Sequence, residues 1–213
     1  MYILKVIDEK KTNIINMVDS WEDMSINQFI TLNQTIQADI PETYKTVNII
    51  SVLTGLSVEE VERMPITVFA KLKNQLDFLN TEIPKVKHED KYNLNGRIYT
   101  LNADISSITT AQYIDYQTYI KENNPIQMMS LWLIPEGHQY NDGYSMEQVL
   151  LDIQDMCFLD VQSIAFFLQL QFATYILIMR DYFKKEMKKS KMDKKDIKKL
   201  VTHFNNMASS LLS

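Results

Sequence analysis

The chain has 213 residues, of which 46% are apolar and 23% charged, and its formal net charge at pH 7 is −5. These values are typical of one soluble globular domain, and a chain of this length buries roughly 70% of its unfolded surface, so it needs no metal or disulfide to fold. The lone Cys157 excludes an internal disulfide and fits a reducing compartment. The first apolar run, residues 2–7, is interrupted by Lys5 and followed by charged residues, so we expect no cleavable signal peptide and synthesis into a cytoplasm.

The N-terminal half is predicted to be a short hairpin followed by four helices. Residues 2–7 and 14–18 have the composition of strands joined by a charged turn. Capping-box spacings mark two helix starts, and Gly55 and Pro65 mark helix ends. The predicted helices begin after Ser25, at Glu42, after Ser57, and at about Thr67, the last running to about residue 79.

The apolar period then changes from about 3.6 residues to two. Asn95 and Gly96 separate two short alternating runs, which predicts a β-hairpin at about residues 92–101 with a type I′ turn. A helix is predicted after Thr109, an apolar segment extends from Pro125 to Ile134, and a further helix is predicted from Ser145 to about residue 156.

The C-terminal third carries a helix-length apolar block that passes directly into a lysine-rich run. We therefore predict a mainly α fold, in which a helical domain of residues 1–183 contains one or two small β-hairpins and a long C-terminal helix. Residues 184–213 are predicted to form a basic helical arm. The apolar residues of its last part have weak amphipathic spacing, so we expect this arm to fold on a partner subunit.

Charge is distributed unevenly along the chain. Residues 184–199 contain nine lysines against three acidic residues, a net charge of +6, so the total of −5 leaves −11 for the rest. Such a segment is either a solvated helix face or a contact with nucleic acid, with anionic lipid, or with the acidic surface of a neighbouring copy. Arginine and aromatic residues are absent from this run, which disfavours specific nucleic-acid recognition and leaves non-specific contact. The candidate interface residues are Lys184, Lys185, Lys188, Lys189, Lys191, Lys194, Lys195, Lys198, Lys199 and Phe204.

The apolar block at residues 158–179 is about long enough to span a bilayer core of roughly 30 Å. However, Gln162, Gln169 and Gln171 give it a mixed face, and Asp160 lies near its start. A dense apolar stripe at helical spacing accompanies them, which favours a helix packed within the protein or against another subunit. The stripe consists of Ile164, Phe167, Leu168, Phe172, Tyr175 and Met179. A single membrane span is therefore the less favoured interpretation.

The sequence contains no recognisable reaction motif. His88, His138 and His203 lie far apart without a second ligand at metal-site spacing, and Cys157 has apolar neighbours that favour a protonated thiol. The loop around His138, which also holds Glu136, Tyr140 and Asp142, has the composition of a place where sites occur, although a solvated loop is the preferred interpretation. The glycines are scattered singly, so no phosphate-binding loop is predicted. We expect no catalytic residues, no metal and no cofactor.

Several short stretches of the sequence together resemble one protein family. The chain resembles small proteins of tailed phages that infect Bacteroidetes, including crAss-like phages, over about residues 21–185. The stretches that carry the resemblance are Ser20-Trp21-Glu22-Asp23 with Phe29, residues 49–55, residues 92–99, residues 110–115, and Leu133-Ile134-Pro135-Glu136-Gly137. The resemblance implies a virion or virion-assembly protein, such as a neck or tail ring component or a packaged protein, and it transfers no catalytic residues.

We therefore expect a non-enzymatic phage structural protein that assembles with copies of itself or with other virion proteins. It would be found in the virion, and in the host cytoplasm during assembly. Two alternatives remain open: an assembly chaperone that is not retained in the particle, and a membrane-associated protein with a single span.

Overall fold

The fold is mainly α-helical with two small antiparallel sheets and a long C-terminal helix, as the sequence predicts. The computed structural model describes residues 1–8, 11–122, 124–190 and 193–211. The strands are β1 (Tyr2–Asp8), β2 (Lys11–Met17), β3 (Lys91–Leu94), β4 (Arg97–Leu101) and β5 (Leu133–Pro135). The helices are α1 (Ile26–Gln37), α2 (Glu42–Thr54), α3 (Val58–Arg63), α4 (Ile66–Lys73), α5 (Thr110–Glu122), α6 (Pro125–Ser130), α7 (Met146–Gln154), α8 (Phe158–Lys189) and α9 (Lys194–Leu211).

The chain forms two compact units. Unit 1 consists of Met1–Lys87 and Leu151–Val161, and unit 2 consists of His88–Leu150 and Gln162–Ser213. The predicted boundary between residues 183 and 184 lies inside α8, which continues as one helix to Lys189. The division into a domain of residues 1–183 and an arm of residues 184–213 stays a prediction.

Unit 1 begins with the predicted N-terminal hairpin. β1 and β2 pair antiparallel, and their side chains alternate between two faces because successive strand residues point in opposite directions. Leu4 and Met17 are buried on one face, whereas Ile3 and Ile14 are exposed. The strands extend into the stretch predicted as a turn, of which residues 9 and 10 lie outside the described residues.

The predicted helix boundaries of unit 1 are confirmed at three positions. Ser25 Oγ accepts a hydrogen bond from the Gln28 backbone N–H at 3.2 Å, and Gln28 Oε1 accepts one from the Ser25 backbone N–H at 3.0 Å. Ser57 and Glu60 form the same reciprocal box at α3. Gly55 ends α2 in the left-handed region, with φ +72°, where a residue with a side chain is strained.

An aromatic cluster joins residues 151–161 to the rest of unit 1. The rings of Phe29 and Phe158 stack with centroids 3.7 Å apart, and Trp21 lies 6.1 Å from Phe158 and 5.4 Å from Phe78. The Trp21 indole N–H donates to Thr81 Oγ1 at 3.2 Å, so its polar atom is satisfied.

The prediction of a single α-helix at about residues 67–79 is wrong for the second half of this range. The α-helix α4 ends at Lys73, and a 3₁₀ helix continues over Asn74–Asn80. The tighter turn accompanies the edge contact of Phe78 with Trp21. Tertiary packing here outweighs the helical spacing of the apolar residues.

Unit 2 contains a three-stranded sheet of order β3-β4-β5. The predicted hairpin is confirmed as β3 and β4, and its turn residues Asn95 and Gly96 have φ values of +51° and +79°. Both positive angles are what a type I′ turn requires.

The third strand of this sheet is absent from the sequence-based prediction. The apolar segment from Pro125 to Ile134 divides into the short helix α6 and the strand β5, whose Leu133 lies opposite Leu101 of β4. A short buried apolar run does not reveal by its spacing whether it is strand or helix. Pairing with β4 satisfies the backbone groups of β5, which decides the outcome here.

A second aromatic cluster packs the core of unit 2. Phe172 of α8 stacks on Tyr116 of α5 with ring centroids 5.2 Å apart, and it meets the edge of Trp132 at 5.5 Å. The first turn of α5, predicted to begin after Thr109, is held by reciprocal hydrogen bonds between Thr109 and Gln112. The middle of α8 is thereby fixed to the helix and strand layers of its own unit.

Candidate functional site

Unit 2 contains a cleft of about 490 Å³ where the ends of β4 and β5 meet the loop before α5 and the loop after β5. Its walls are mixed in polarity. The lining residues are Thr100, Leu101, Asn102, Ser107, Thr109, Gln112, Ile134, Pro135, Gly137, His138, Gln139 and Tyr140. The described lining therefore provides no carboxylate, amine or guanidinium group.

The main polar side chains of this cleft hold the fold together. Gln112 is buried, its Nε2 donates to the Leu131 carbonyl at 3.1 Å, and its Oε1 accepts the Thr109 backbone N–H at 3.0 Å. Ser107 Oγ donates to the Asp104 carbonyl at 2.9 Å. These bonds position the start of α5.

The loop around His138 does not assemble the group that its composition indicates. Tyr140 is buried, and its hydroxyl donates to Asp115 Oδ2 at 2.6 Å, away from the loop's own carboxylates. Burial, together with this hydrogen bond, raises the pKa of Tyr140, which keeps the phenol protonated. Glu136 pairs with Lys91.

His138 itself makes a structural contact within its loop. Its Nδ1 lies 2.8 Å from the carbonyl oxygen of Asp142, and because a carbonyl only accepts, the proton is on Nδ1. The ring also meets Tyr144 edge-on at 5.8 Å. This geometry fits the preferred sequence-based interpretation of a loop histidine.

The remaining titratable candidates are also in packing positions. The ring of His88 stacks on Phe167 with centroids 3.8 Å apart, and His203 lies edge-on to Phe204 at 6.3 Å. Burial raises the pKa of the Cys157 thiol, which opposes nucleophilic reactivity at neutral pH. Among the described residues, no group of three or more His, Cys, Asp or Glu is placed to hold a metal ion.

The lysines predicted as an interface lie on the surface at the end of α8 and the start of α9. Lys184, Lys185, Lys188 and Lys189 on α8 and Lys194, Lys195, Lys198 and Lys199 on α9 are all exposed. Lys189 pairs with Glu186 at 2.7 Å. Lys191 lies outside the described residues. Eight of the nine lysines thus lie on the end of α8 and on the first half of α9.

Phe204, the remaining predicted interface residue, contacts its own chain. Its ring stacks on Phe183 of α8 with centroids 6.0 Å apart, and the neighbouring Asn205 accepts a hydrogen bond from Arg180 Nη1 at 2.7 Å. These pairs show that α9 folds back along the end of α8. That the arm folds on a partner subunit stays a prediction.

The surface of α8 carries apolar side chains that the sequence-based stripe does not single out. Ile164 and Leu168 are buried as expected, whereas Phe166, Leu170 and Ile178 are exposed. By length and composition alone, α8 is the one helix in the described parts of the chain that is apolar enough to cross a membrane, and 22% of its most apolar window is buried. The expected packed helix is therefore only partly packed within this chain.

Comparisons with known proteins found no matching family model, curated protein or solved structure. The resemblance to phage proteins accordingly stays a prediction.

Proposed function

We propose that this chain is a non-enzymatic structural subunit of a tailed-phage virion, a neck or tail ring component or a packaged protein, which assembles with itself or with other virion proteins. The observation that carries the proposal is the surface of α8, where exposed apolar side chains run into a cluster of exposed lysines. Apolar exposure of this extent on one helix is typical of interaction surfaces. The resemblance of the sequence to phage proteins supports the virion as the setting.

Charge supports a protein partner with an acidic surface. The lysines of α9 stay in solvent because this helix contacts α8 through Phe204 and Asn205. Outside residues 184–199 the chain carries a net charge of −11, so a neighbouring copy provides a complementary acidic surface. Such a contact adds to association rate and orientation more than to affinity, and it weakens with salt.

The proposal is tested by the mass of the complex that the chain forms in solution and by the proteins found in purified virions. We expect light scattering after size-exclusion chromatography to show a multimer at low ionic strength. Charge reversal at four exposed lysines, Lys194→Glu, Lys195→Glu, Lys198→Glu and Lys199→Glu, should lower that mass. The control Lys71→Glu with Lys73→Glu changes exposed lysines on α4 and should leave it unchanged.

The second experiment is mass spectrometry of purified virions, in which we expect peptides of this chain at a defined copy number. Reproducible absence from the particle would favour the assembly chaperone, which uses the same surfaces in the infected cell. Salt-sensitive retardation of DNA that the lysine reversals abolish would assign the basic segment to nucleic acid instead. Pelleting with membranes and resistance to carbonate extraction would favour the membrane-associated alternative.

A further inference from the structure

One face of the three-stranded sheet contributes three neighbouring side chains to the cleft of unit 2. Thr100 of β4 lies directly opposite Ile134 of β5 in the antiparallel register. Asn102 follows Thr100 by two residues, and its backbone N–H donates to the Trp132 carbonyl at 2.7 Å, so it continues the strand pairing. Side chains two residues apart on a strand point to the same face. Thr100, Asn102 and Ile134 therefore line the cleft from one side.

Two loops complete the lining of this cleft. The loop before α5 contributes Ser107 and Thr109, which hydrogen bonds within the fold hold in place. The loop after β5 contributes His138 and Gln139. The His138 ring is fixed by its contact with the Asp142 carbonyl, so this loop too has a defined conformation. The cleft is thus largely formed before any ligand arrives.

The polar side chains of the lining divide into two groups. Gln112, Ser107 and Thr109 are engaged in hydrogen bonds within unit 2. The side chains of Thr100, Asn102 and Gln139 have no hydrogen-bond partner in the part of the chain that the structure describes. Each of these three offers both a donor and an acceptor, because it is a hydroxyl or a primary amide. Thr100 and Asn102 are also half-buried, so they reach water only through the cleft.

The composition of the lining limits the chemistry of a ligand. An anion would meet no amine or guanidinium group in it, and a cation would meet no carboxylate. A purely apolar ligand would cover the amides of Asn102 and Gln139 without replacing their water, which disfavours binding. A nucleobase needs an exposed ring for stacking, whereas Tyr140, the aromatic residue of the lining, is 9% exposed. The remaining class is a neutral ligand that carries donors and acceptors on an apolar frame.

We propose that this cleft binds a small neutral saccharide. Sugar hydroxyls both donate and accept, so one amide can donate to one hydroxyl and accept from its neighbour. The C–H groups of a sugar ring are apolar and pack against Leu101, Ile134 and Pro135, which also line the cleft. Its volume of about 490 Å³ falls within the range of small-molecule sites.

The number of available side chains sets the expected affinity. Each hydrogen bond to the sugar replaces one to water, so the net gain from each is small. Three such side chains give a dissociation constant on the order of millimolar. Several copies in one assembly would bind a polymer of such sugars far more tightly than one copy does, because the sites act together. The inference goes beyond the proposed function and does not depend on it.

The first test is saturation-transfer difference NMR on the full chain with glucose, galactose, mannose, N-acetylglucosamine and maltose. At least one of these should bind with a millimolar dissociation constant. The double variant Asn102→Ala with Gln139→Ala should weaken that binding by at least about tenfold. The matched control Asn93→Ala changes an exposed asparagine of β3 in the same sheet but outside the cleft, and it should bind as wild type does.

A milder variant keeps the test sharp if the double variant loses its fold. Thr100→Val removes one hydroxyl from the cleft and preserves the shape of the side chain. It should weaken sugar binding several-fold, and circular dichroism should show the helical content of wild type. Undiminished binding in folded Thr100→Val and Asn102→Ala proteins would place the sugar elsewhere and overturn the inference.

Three further results would also refute the saccharide site. The first is no signal from any of the five sugars. The second is tighter binding of glucose 6-phosphate or glucuronate than of glucose, which would show an anion site. The third is binding of the neutral peptide N-acetyl-trialanine amide in place of the sugars, which would assign the cleft to an extended chain. None of these results changes the expected multimer mass or virion content, so the proposed function is judged separately.

Discussion

Replacing Ala208 by glutamate is predicted to release α9 from α8. Ala208 is 4% exposed and lies one turn beyond Phe204, whose ring stacks on Phe183. A carboxylate at this position has to lose its water, which costs several kcal/mol. The neighbouring Ser209 is exposed, so Ser209→Glu adds the same charge to the same helix without this cost.

The size of the effect is limited by the free energy that holds α9 in place. Besides the buried Ala208, its contact face has four partly buried apolar residues: Ile197, Leu200, Val201 and Phe204. Half-burial of each contributes about 1 kcal/mol, and fixing its side chain opposes this by about 0.5 kcal/mol, which leaves about 2 kcal/mol for the helix. Because the burial cost of the carboxylate exceeds this value, the chain avoids it by detaching α9.

Hydrogen exchange measured by mass spectrometry checks this prediction. An 18-residue helix without a contact surface is marginal in water. Loss of the contact free energy of about 2 kcal/mol should therefore speed amide exchange in α9 about 30-fold. Exchange in α1 and α2 of unit 1 should not change. Below about pH 4 the introduced carboxyl is neutral, and most of the protection should return after correction for intrinsic exchange. Equal exchange in Ala208→Glu and Ser209→Glu would show that α9 is not held by this face.

Three further predictions concern the two cores and the lone thiol. Phe158→Ala removes a ring that is 5% exposed and stacked on Phe29, so urea unfolding should show a free energy of unfolding lower by about 3–5 kcal/mol. The same substitution at the exposed Phe166 should lower it by less than about 0.5 kcal/mol. Burial raises the pKa of Tyr140 above its usual value near 10, so the folded state keeps a proton that the unfolded state releases, and stability should fall as pH rises above 10. Tyr140→Phe should reduce that fall in unfolding curves at pH 8 and pH 11, and an equal fall would contradict the assignment. Because burial raises the pKa of Cys157, its reaction with Ellman's reagent at pH 8 should be at least tenfold slower than in the unfolded chain.

Local chemistry explains why the helix starts and the hairpin turn were predictable. A capping box such as Ser25 with Gln28 satisfies its bonds within four residues, and the Asn95-Gly96 turn needs only two adjacent positive φ angles. Each of these signals involves only residues that are near neighbours in the sequence. The structure therefore reproduces them close to the expected positions.

The elements that escaped prediction depend on partners far away in the sequence. β5 is a strand because β4 offers it a free edge, and the 3₁₀ helix after α4 accompanies the contact of Phe78 with Trp21. The cleft of unit 2 likewise combines two strand ends and two loops that no spacing rule connects. Its only local sign is the glycine-containing loop at residues 136–143.

Exposure on α8 is the feature on which the proposed function depends, and periodicity alone does not determine it. The spacing shows that α8 is apolar on more than one side, but only the packed structure shows that Ile164 is covered and Ile178 is not. For the same reason the sequence pointed to the lysines, which are visible as charge, and not to the exposed apolar side chains of α8. A fully apolar helix looks the same in sequence whether its partner is its own core, a second subunit or lipid.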